Sequence, residues 1–398
     1  MKQIKFELTS TIFIFLLLFP HFKPRYFDEV AVLDLSFNFL RVLSAGAILV
    51  LYFTRRKINL PVLVLLIWKG WLLLTTLFNL DRGADIYTFL IRTVPDVAVF
   101  LLCSYMVVNL PNLIRALMML GEMLIYSNLV TILLFPDGLY HTDRFFQNWL
   151  LGYRNQFFSS FLVFGLAAFL YYRYVGGWVR PAMLLAAIYA SLLLVDSATS
   201  IFAISVFLFL SLVTMRFGVK MFNSVVLTCC NMIAFFLLVI FRILDMFSFI
   251  IVDMLHRNTT LTGRTILWDG LYDIIGRQPI IGYGVMGGDQ TSELLNQTWA
   301  THAHNLLLQC LLEGGIVALV LFVVFNVLLI KKLYQYRGLK SAQLLSLAIF
   351  VYYIACLTEV YTVPGIYIIY AIAFAVDRIA AQEEQYLLRR RKVKFIIR

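Results

Sequence analysis

Apolar positions along the chain gather into twelve runs, near residues 9–20, 38–53, 60–78, 96–109, 117–135, 157–172, 182–195, 200–215, 221–241, 315–330, 343–358 and 362–376. Each is read as one helix. A bilayer core about 30 Å thick takes about 20 helical residues, a length that several runs reach only with their semipolar flanks. The expected fold class is therefore all-α, a polytopic membrane protein with about twelve transmembrane helices. The first run, FELTSTIFIFLLLFP, also has signal-peptide character, but no A-x-A-like cleavage site accompanies it and further spans follow directly, so it is read as a retained span.

Composition agrees with the pattern. Of 398 residues, 62% are apolar and 14% charged, against roughly 45–50% and about 25% in globular proteins; mean hydropathy is +0.86. Lys and Arg divide 21 to 10 between the two sides of the twelve-span arrangement, and Arg41 and Lys69, inside spans, complete the 33. The richer side is cytoplasmic. Both termini are thus expected in the cytoplasm, with residues 1–398 forming a single polytopic domain and 377–398 a basic tail ending in RRRKVKFIIR. The net charge of +11 then reflects orientation at a lipid bilayer, and no nucleic-acid partner is expected. All five cysteines lie in or beside apolar runs, so neither disulfides nor a cysteine metal site is implied. No internal repeat of the kind found in many transporters is visible.

One connection stands apart. Residues 242–310 form a large extracytoplasmic loop, and the chemistry is expected there. Its sequence predicts a helix capped by Thr262, striped by Ile266, Leu267, Leu271, Ile274 and Ile275, and ended by Gly276 and Pro279. Arg264 and Trp268 share a face at i,i+4 spacing. Arg264 either serves chemistry or merely holds the loop at the membrane surface; Trp268 either stacks on a sugar or packs. Gly282, Gly284 and Gly287 match G-x-G-x-x-G literally, but no βαβ unit surrounds them, so a tight turn against another backbone is expected instead of a nucleotide site. His302 and His304 precede Asn305. A metal site is not expected, because residues two apart on a helix face different ways and no cysteine or carboxylate cluster completes a set. Histidine at a membrane surface is instead a natural general base near neutral pH.

Taken together, Arg264-x-x-x-Trp268, Pro279-x-x-Gly282-x-Gly284 and His304-Asn305, with 40 residues between Arg264 and His304, resemble the Wzy-type polysaccharide polymerases of the O-antigen ligase superfamily. The resemblance covers mainly residues 150–320. It implies a donor glycan carried on undecaprenyl diphosphate in the outer leaflet of the bacterial cytoplasmic membrane, attacked at its anomeric carbon by an acceptor hydroxyl with inversion. It implies further that His304 is the base and that Arg264 stabilises the leaving diphosphate, with His302, Asn305 and Trp268 orienting the base or binding sugar. Many family members have Ser-Arg where this chain reads Asp196, Ser197, Ala198, Thr199, Ser200, so a second phosphate-binding arginine is missing, and Arg154 in the outer segment LLGYRNQFF is the replacement expected by position. No cofactor is implied. The outer loop has no Asp-x-Asp pair, which favours arginine over a bridging metal.

Polymerase and ligase differ in acceptor alone, and compact outer loops favour polymerase, with a chain-length regulator and a flippase as further partners. A flippase or secondary transporter is the rival reading, kept open by Arg41 and Lys69 within spans, although both can snorkel or pair with acids such as Asp34.

Overall fold

The computed structural model describes residues 2–142, 146–241, 260–361 and 363–383. The first part of the large loop (242–259) and most of the basic tail (384–398) lie outside them. Apolar runs become helices α1 (Lys2–Leu18), α2 (Ala31–Arg55), α3 (Leu60–Phe78), α4 (Ile86–Met106), α5 (Leu110–Leu134), α6 (Phe157–Tyr174), α7 (Val179–Leu194), α8 (Ala198–Phe217) and α9 (Ser224–Phe235). Beyond residue 259 come α10 (Thr260–Arg277), α11 (Gly288–Leu294), α12 (Leu306–Gln335), α13 (Lys340–Ala355) and α14 (Gly365–Phe374). A two-residue ribbon, β1 (Asn148–Trp149) with β2 (Gly152–Tyr153), is antiparallel and pairs Asn148 with Tyr153 and Trp149 with Gly152. Polar side chains set several helix starts: Asn59 caps α3, Asp85 caps α4 and Asn305 caps α12, each accepting from backbone N–H groups that have no partner inside the helix.

By length and composition, six helices suffice to cross a membrane among the described residues, or seven if α14 and the segment Val376–Glu383, bent 59° from it, form one span. That is fewer than the twelve expected from the apolar runs. The difference lies in shorter apolar helices such as Val179–Leu194 and Lys340–Ala355, which fall below the roughly 20 residues that a bilayer core requires, and in α4 and α5, which count together as one stretch, Ile86–Leu134.

Helices α6 and α14 are buried along nearly their whole length, with Phe157 through Leu170 all enclosed. Around them, α1 lies against α5, α3 against α12, α4 against α14 and α8 against α13. Outer helices turn apolar side chains outward, among them Leu35, Phe39 and Val42 of α2 and Phe202 and Phe209 of α8. Large apolar side chains exposed in such number suit lipid. The cysteines are all free.

Lys69, one of the two cations expected inside spans, is a paired pin. Its Nζ sits 2.6 Å from Asp96 Oδ2 and lies 5.0 Å from the rings of both Trp68 and Tyr367. Arg41 is different: it donates to Asn38 Oδ1 (3.3 Å) and the Pro20 carbonyl (3.4 Å), with no carboxylate at ion-pair distance among the described residues.

Helix α10 begins at Thr260, ahead of the expected cap Thr262, and ends at Arg277. The turn that follows packs backbone on backbone, as its glycines suggest. Gly282 (φ 66°) and Gly284 (φ 76°) adopt left-handed torsions; a Cβ on Gly282 would lie 2.6 Å from the Gly315 nitrogen. The Tyr283 and Gly284 amides donate to the carbonyls of Leu312 (2.7 Å) and Glu313 (2.9 Å), and the Ile316 amide donates to the Pro279 carbonyl (2.8 Å). Helix α12 is accordingly interrupted at Gly315, whose torsions (φ 63°, ψ −163°) are not helical.

Candidate active site

The head of α12 is tied to the tail of α13. Asn305 Oδ1 caps α12 by accepting from the Leu307 (3.0 Å) and Leu308 (3.1 Å) amides, its Nδ2 donates to the Leu357 carbonyl (3.1 Å), and the Leu306 amide donates to the Cys356 carbonyl (3.1 Å). This junction brings Glu359, two residues past Leu357, against His302 and His304. Trp268 fixes the third member: its indole N–H donates to the Ala303 carbonyl (3.0 Å), so α10 is fastened to the histidine segment and delivers Arg264 to the same carboxylate.

Glu359 is the hub. His302 Nε2 lies 2.9 Å from its Oε1, His304 Nδ1 3.6 Å from the same oxygen, and an Arg264 guanidinium nitrogen 3.7 Å from Oε2. The His302 tautomer follows from its neighbours, since Nδ1 accepts the His304 backbone N–H (3.1 Å) and the proton must therefore sit on Nε2, facing Glu359. Burial alone would raise the Glu359 carboxyl, but the His302 hydrogen bond and the adjacent His302, His304 and Arg264 outweigh it and bring it to about 2. Burial, with His302 and Arg264 acting in the same direction, lowers His304 to about 3 against the pull of Glu359. Arg264 is lowered by burial and supported by Glu359. In the resting site His304 is thus a neutral imidazole beside a carboxylate, with both ring nitrogens lacking a hydrogen-bond partner. Its backbone is left-handed (φ 49°), unusual for a residue with a side chain.

Arg264, His302, His304 and Glu359 line a cavity of about 450 Å³, together with Trp299, Tyr153 and Tyr361. A second cavity of about 470 Å³ adjoins it and shares Arg25, Arg92, Leu151, Gln156, Gly288 and Val363. A polar chain runs beneath the first: Gln309 Oε1 accepts from the Ala303 amide (2.7 Å), Gln309 Nε2 donates to Glu313 (2.8 Å), and Glu313 pairs with Arg92 (3.2 Å).

Several expectations need correction. Trp268 packs and is 1% exposed, so a sugar cannot stack on it in this conformation. Trp299, 47% exposed, with its ring 5.6 Å from that of His304, is the tryptophan that faces the cavity. Asn305 is 1% exposed and its amide is consumed by the helix junction, so it positions the site and does not reach sugar. Arg154 does not line the cavity. It donates to the Val195 and Asp196 carbonyls, both at 3.4 Å, at the C-terminus of α7, while Arg92 and Arg25 occupy the cavity wall. The grounds for dismissing a metal also fall. His302 and His304 precede the helix, their rings come within 4.0 Å, and Glu359 completes a trio whose ligand atoms lie within 4.8 Å of one another. Yet the His302 hydrogen bond occupies one ligand atom and Arg264 stands at the other carboxylate oxygen, an arrangement that disfavours a further cation.

Residues 181–323, less than half of the chain, match the model of the O-antigen ligase family. The chain carries an O-antigen ligase domain. Arg264, Trp268, His302, His304 and Asn305 fall inside this O-antigen ligase domain, whereas Glu359, Arg92, Arg25 and Arg154 fall outside it. No curated protein matches the chain. Family and fold together support a multi-pass membrane protein that processes glycans, of the O-antigen ligase or polymerase type.

Proposed function

We propose that this chain polymerises undecaprenyl-diphosphate-linked oligosaccharide repeat units at the outer face of the bacterial cytoplasmic membrane, by inverting, metal-independent glycosyl transfer. The observation that carries the reading is the convergence of Arg264, His302 and His304 on Glu359 at the wall of one cavity. A proton on His304 Nδ1 faces Glu359 and leaves the Nε2 lone pair to take the acceptor hydroxyl proton. As that proton transfers, the acceptor oxygen bonds to the donor's anomeric carbon, and the bond from that carbon to the diphosphate oxygen breaks with its electrons going to the diphosphate. Arg264 meets the accumulating charge with a planar fork suited to phosphate. Arrival of the diphosphate also neutralises Arg264, removing one of the influences that hold His304 so low, and Glu359 at 3.6 Å then stabilises the imidazolium. Trp299 offers an aromatic face to a sugar.

In this reading the shorter apolar helices cross as well, giving twelve spans with both termini cytoplasmic. Residues at the ends of helices that meet the cavity (Arg92, Gln156, His304, Glu359) then lie outside, while Arg173 with Glu383 and Lys332 with Asp377, at the opposite ends, lie inside. A chain-length regulator and a flippase would work beside it. The matching family's description favours a second reading, ligation of the glycan to another acceptor from the same site.

Purified protein supplied with lipid-linked repeat units is expected to make a ladder of lengths, and a single transfer to a separate acceptor would select the ligase. His304→Ala should retain donor binding while turnover falls by roughly 10²–10⁴. At normal membrane abundance, polymer building within about threefold of the parent rate would exclude His304 as the base.

A further inference from the structure

We infer that the second cavity holds the diphosphate of the acceptor repeat unit, with Arg41 as its principal contact. This rests on the polymerase reading above, in which two lipid-linked diphosphates must be accommodated together. The donor's diphosphate departs, but the acceptor, attacking through its non-reducing end, keeps its own. A site built for the first alone would leave the second against protein that does not recognise it.

The two adjoining cavities match this need. The first carries Arg264 beside His304. The second is lined by four cations, Lys23, Arg25, Arg41 and Arg92, against two carboxylates, Asp28 and Asp34. Three of these cations have acidic partners: Lys23 is held between Asp28 and Asp34, Arg25 lies 3.6 Å from Asp28, and Arg92 pairs with Glu313. Arg41 has neutral oxygens for hydrogen-bond partners, both at long range, from Asn38 and Pro20. A guanidinium with five N–H donors, half-buried beside a cavity and using two of them on weak acceptors, is set to take a phosphate through the rest.

Position supports the same ligand. Helix α2, which carries Arg41, exposes Leu35 (73%), Phe39 (63%) and Val42 (68%), so a prenyl chain attached to a phosphate on Arg41 has an apolar surface to follow into lipid. Arg25, Arg92, Leu151, Gln156, Gly288 and Val363 line both cavities, so the two adjoin along a wall that a short glycan reaching from Arg41 toward His304 would follow. The intramembrane charge that a transport reading would use thereby receives an anchoring role.

The test uses the full chain in detergent with undecaprenyl diphosphate, which has no glycan to transfer, and reads bound lipid per chain by native mass spectrometry. Two molecules are expected at saturation for the parent and one each for Arg41→Gln and Arg264→Ala. Arg41→Lys, which keeps the charge, is expected to bind two with the second weakened about tenfold, showing that the fold survives. A parent that binds one, or an Arg41→Gln variant that still binds two at parental affinity, overturns the proposal. So does displacement of the second molecule by a tenfold excess of phosphatidylglycerol, which would mark a general anionic-lipid site. Two bound diphosphates on a protein that joins no repeat units would instead refute the polymerase reading, a separate failure.

Discussion

Replacing Glu359 with Gln isolates the charge at the centre of the site, because glutamine keeps the shape and can still accept the His302 N–H. What is lost is the negative charge 3.6 Å from His304 Nδ1. At that separation, with an effective dielectric of about 20, a pair of unit charges is worth about 4–5 kcal/mol. The side chains are 14% and 15% exposed, so screening by water and salt reduces this to roughly 2–3 kcal/mol. Since each 1.36 kcal/mol is tenfold, kcat should fall by about 30- to 150-fold. Donor affinity should hold or improve, because Arg264 loses a competing anion. Glu359→Asp, which retains the charge on a shorter arm, should fall between. The assay is polymer formation from lipid-linked repeat units over a range of donor concentrations, with membrane abundance measured in parallel. A Glu359→Gln enzyme at normal abundance and within threefold of the parental kcat would show that the imidazolium is not stabilised here and would refute the mechanism.

The remaining predictions use different handles. Arg264→Lys should reduce activity and donor affinity together, and Arg264→Ala should reduce both further, since lysine retains charge without the fork; equal loss in both variants with donor affinity unchanged would argue for a merely structural arginine. Excess EDTA should leave polymerisation intact, and activity lost to EDTA but restored by a divalent ion would transfer the charge-stabilising role to a metal held by His302, His304 and Glu359. His304 is lowered from 6.5 to about 3 and Glu359 from 4.5 to about 2, so the unfolded chain binds more protons in both intervals. The stability these residues contribute is therefore full above pH 6.5 and drains away as pH falls toward 3 for His304 and toward 2 for Glu359. Thermal melts of the detergent-solubilised protein at successive pH values should show this, and a His304→Ala variant with an unchanged acid slope would exclude His304 as a source. For orientation, single cysteines at Gln290 and Ala381, introduced after Cys229 and Cys230 are changed to serine, should react with an impermeant thiol reagent in intact cells at the first position and not the second; the reverse pattern would invert the topology.

Much of the site was legible because Arg264, His302, His304 and Asn305 lie on one segment, where order and spacing can be read. Glu359 was not, since it stands beyond two further helices with no motif around it; its one signal is a carboxylate in a short connection between apolar runs on the outer side. Arg92 was hidden for a similar reason, at the start of a helix whose pairing with Glu313 exists only after folding. Judging the histidines by helical periodicity failed because the helix begins at Leu306 and His304 has a left-handed backbone, so residues two apart can meet. Trp268 was ambiguous on spacing alone: i,i+4 puts it on the Arg264 face, but its neighbours Leu267 and Leu271 draw it inward. Of the fold, the helical segments followed from the apolar runs, whereas helix length, which decides how many suffice to cross, depends on ends that hydropathy does not mark.

The break at Gly315 divides α12 into two mechanical parts. Below it the helix belongs to the bundle, alongside α3. Above it, residues 306–314 are clamped by the 279–284 turn through the amides of Tyr283 and Gly284, and Trp71 Nε1 donates to the Gly314 carbonyl at 2.8 Å. The carbonyl of Ile280 would stand 2.1 Å from a Cβ on Gly315, so a side chain there would force the joint apart. His304 thus rides on a short bracket fixed both to the outer turn and, through Trp71 of α3, to the bundle, with the helix axis broken at a single non-helical residue. Held on both sides in this way, residues 306–314 take their direction from these contacts and not from continuation of the helix axis beyond Gly315.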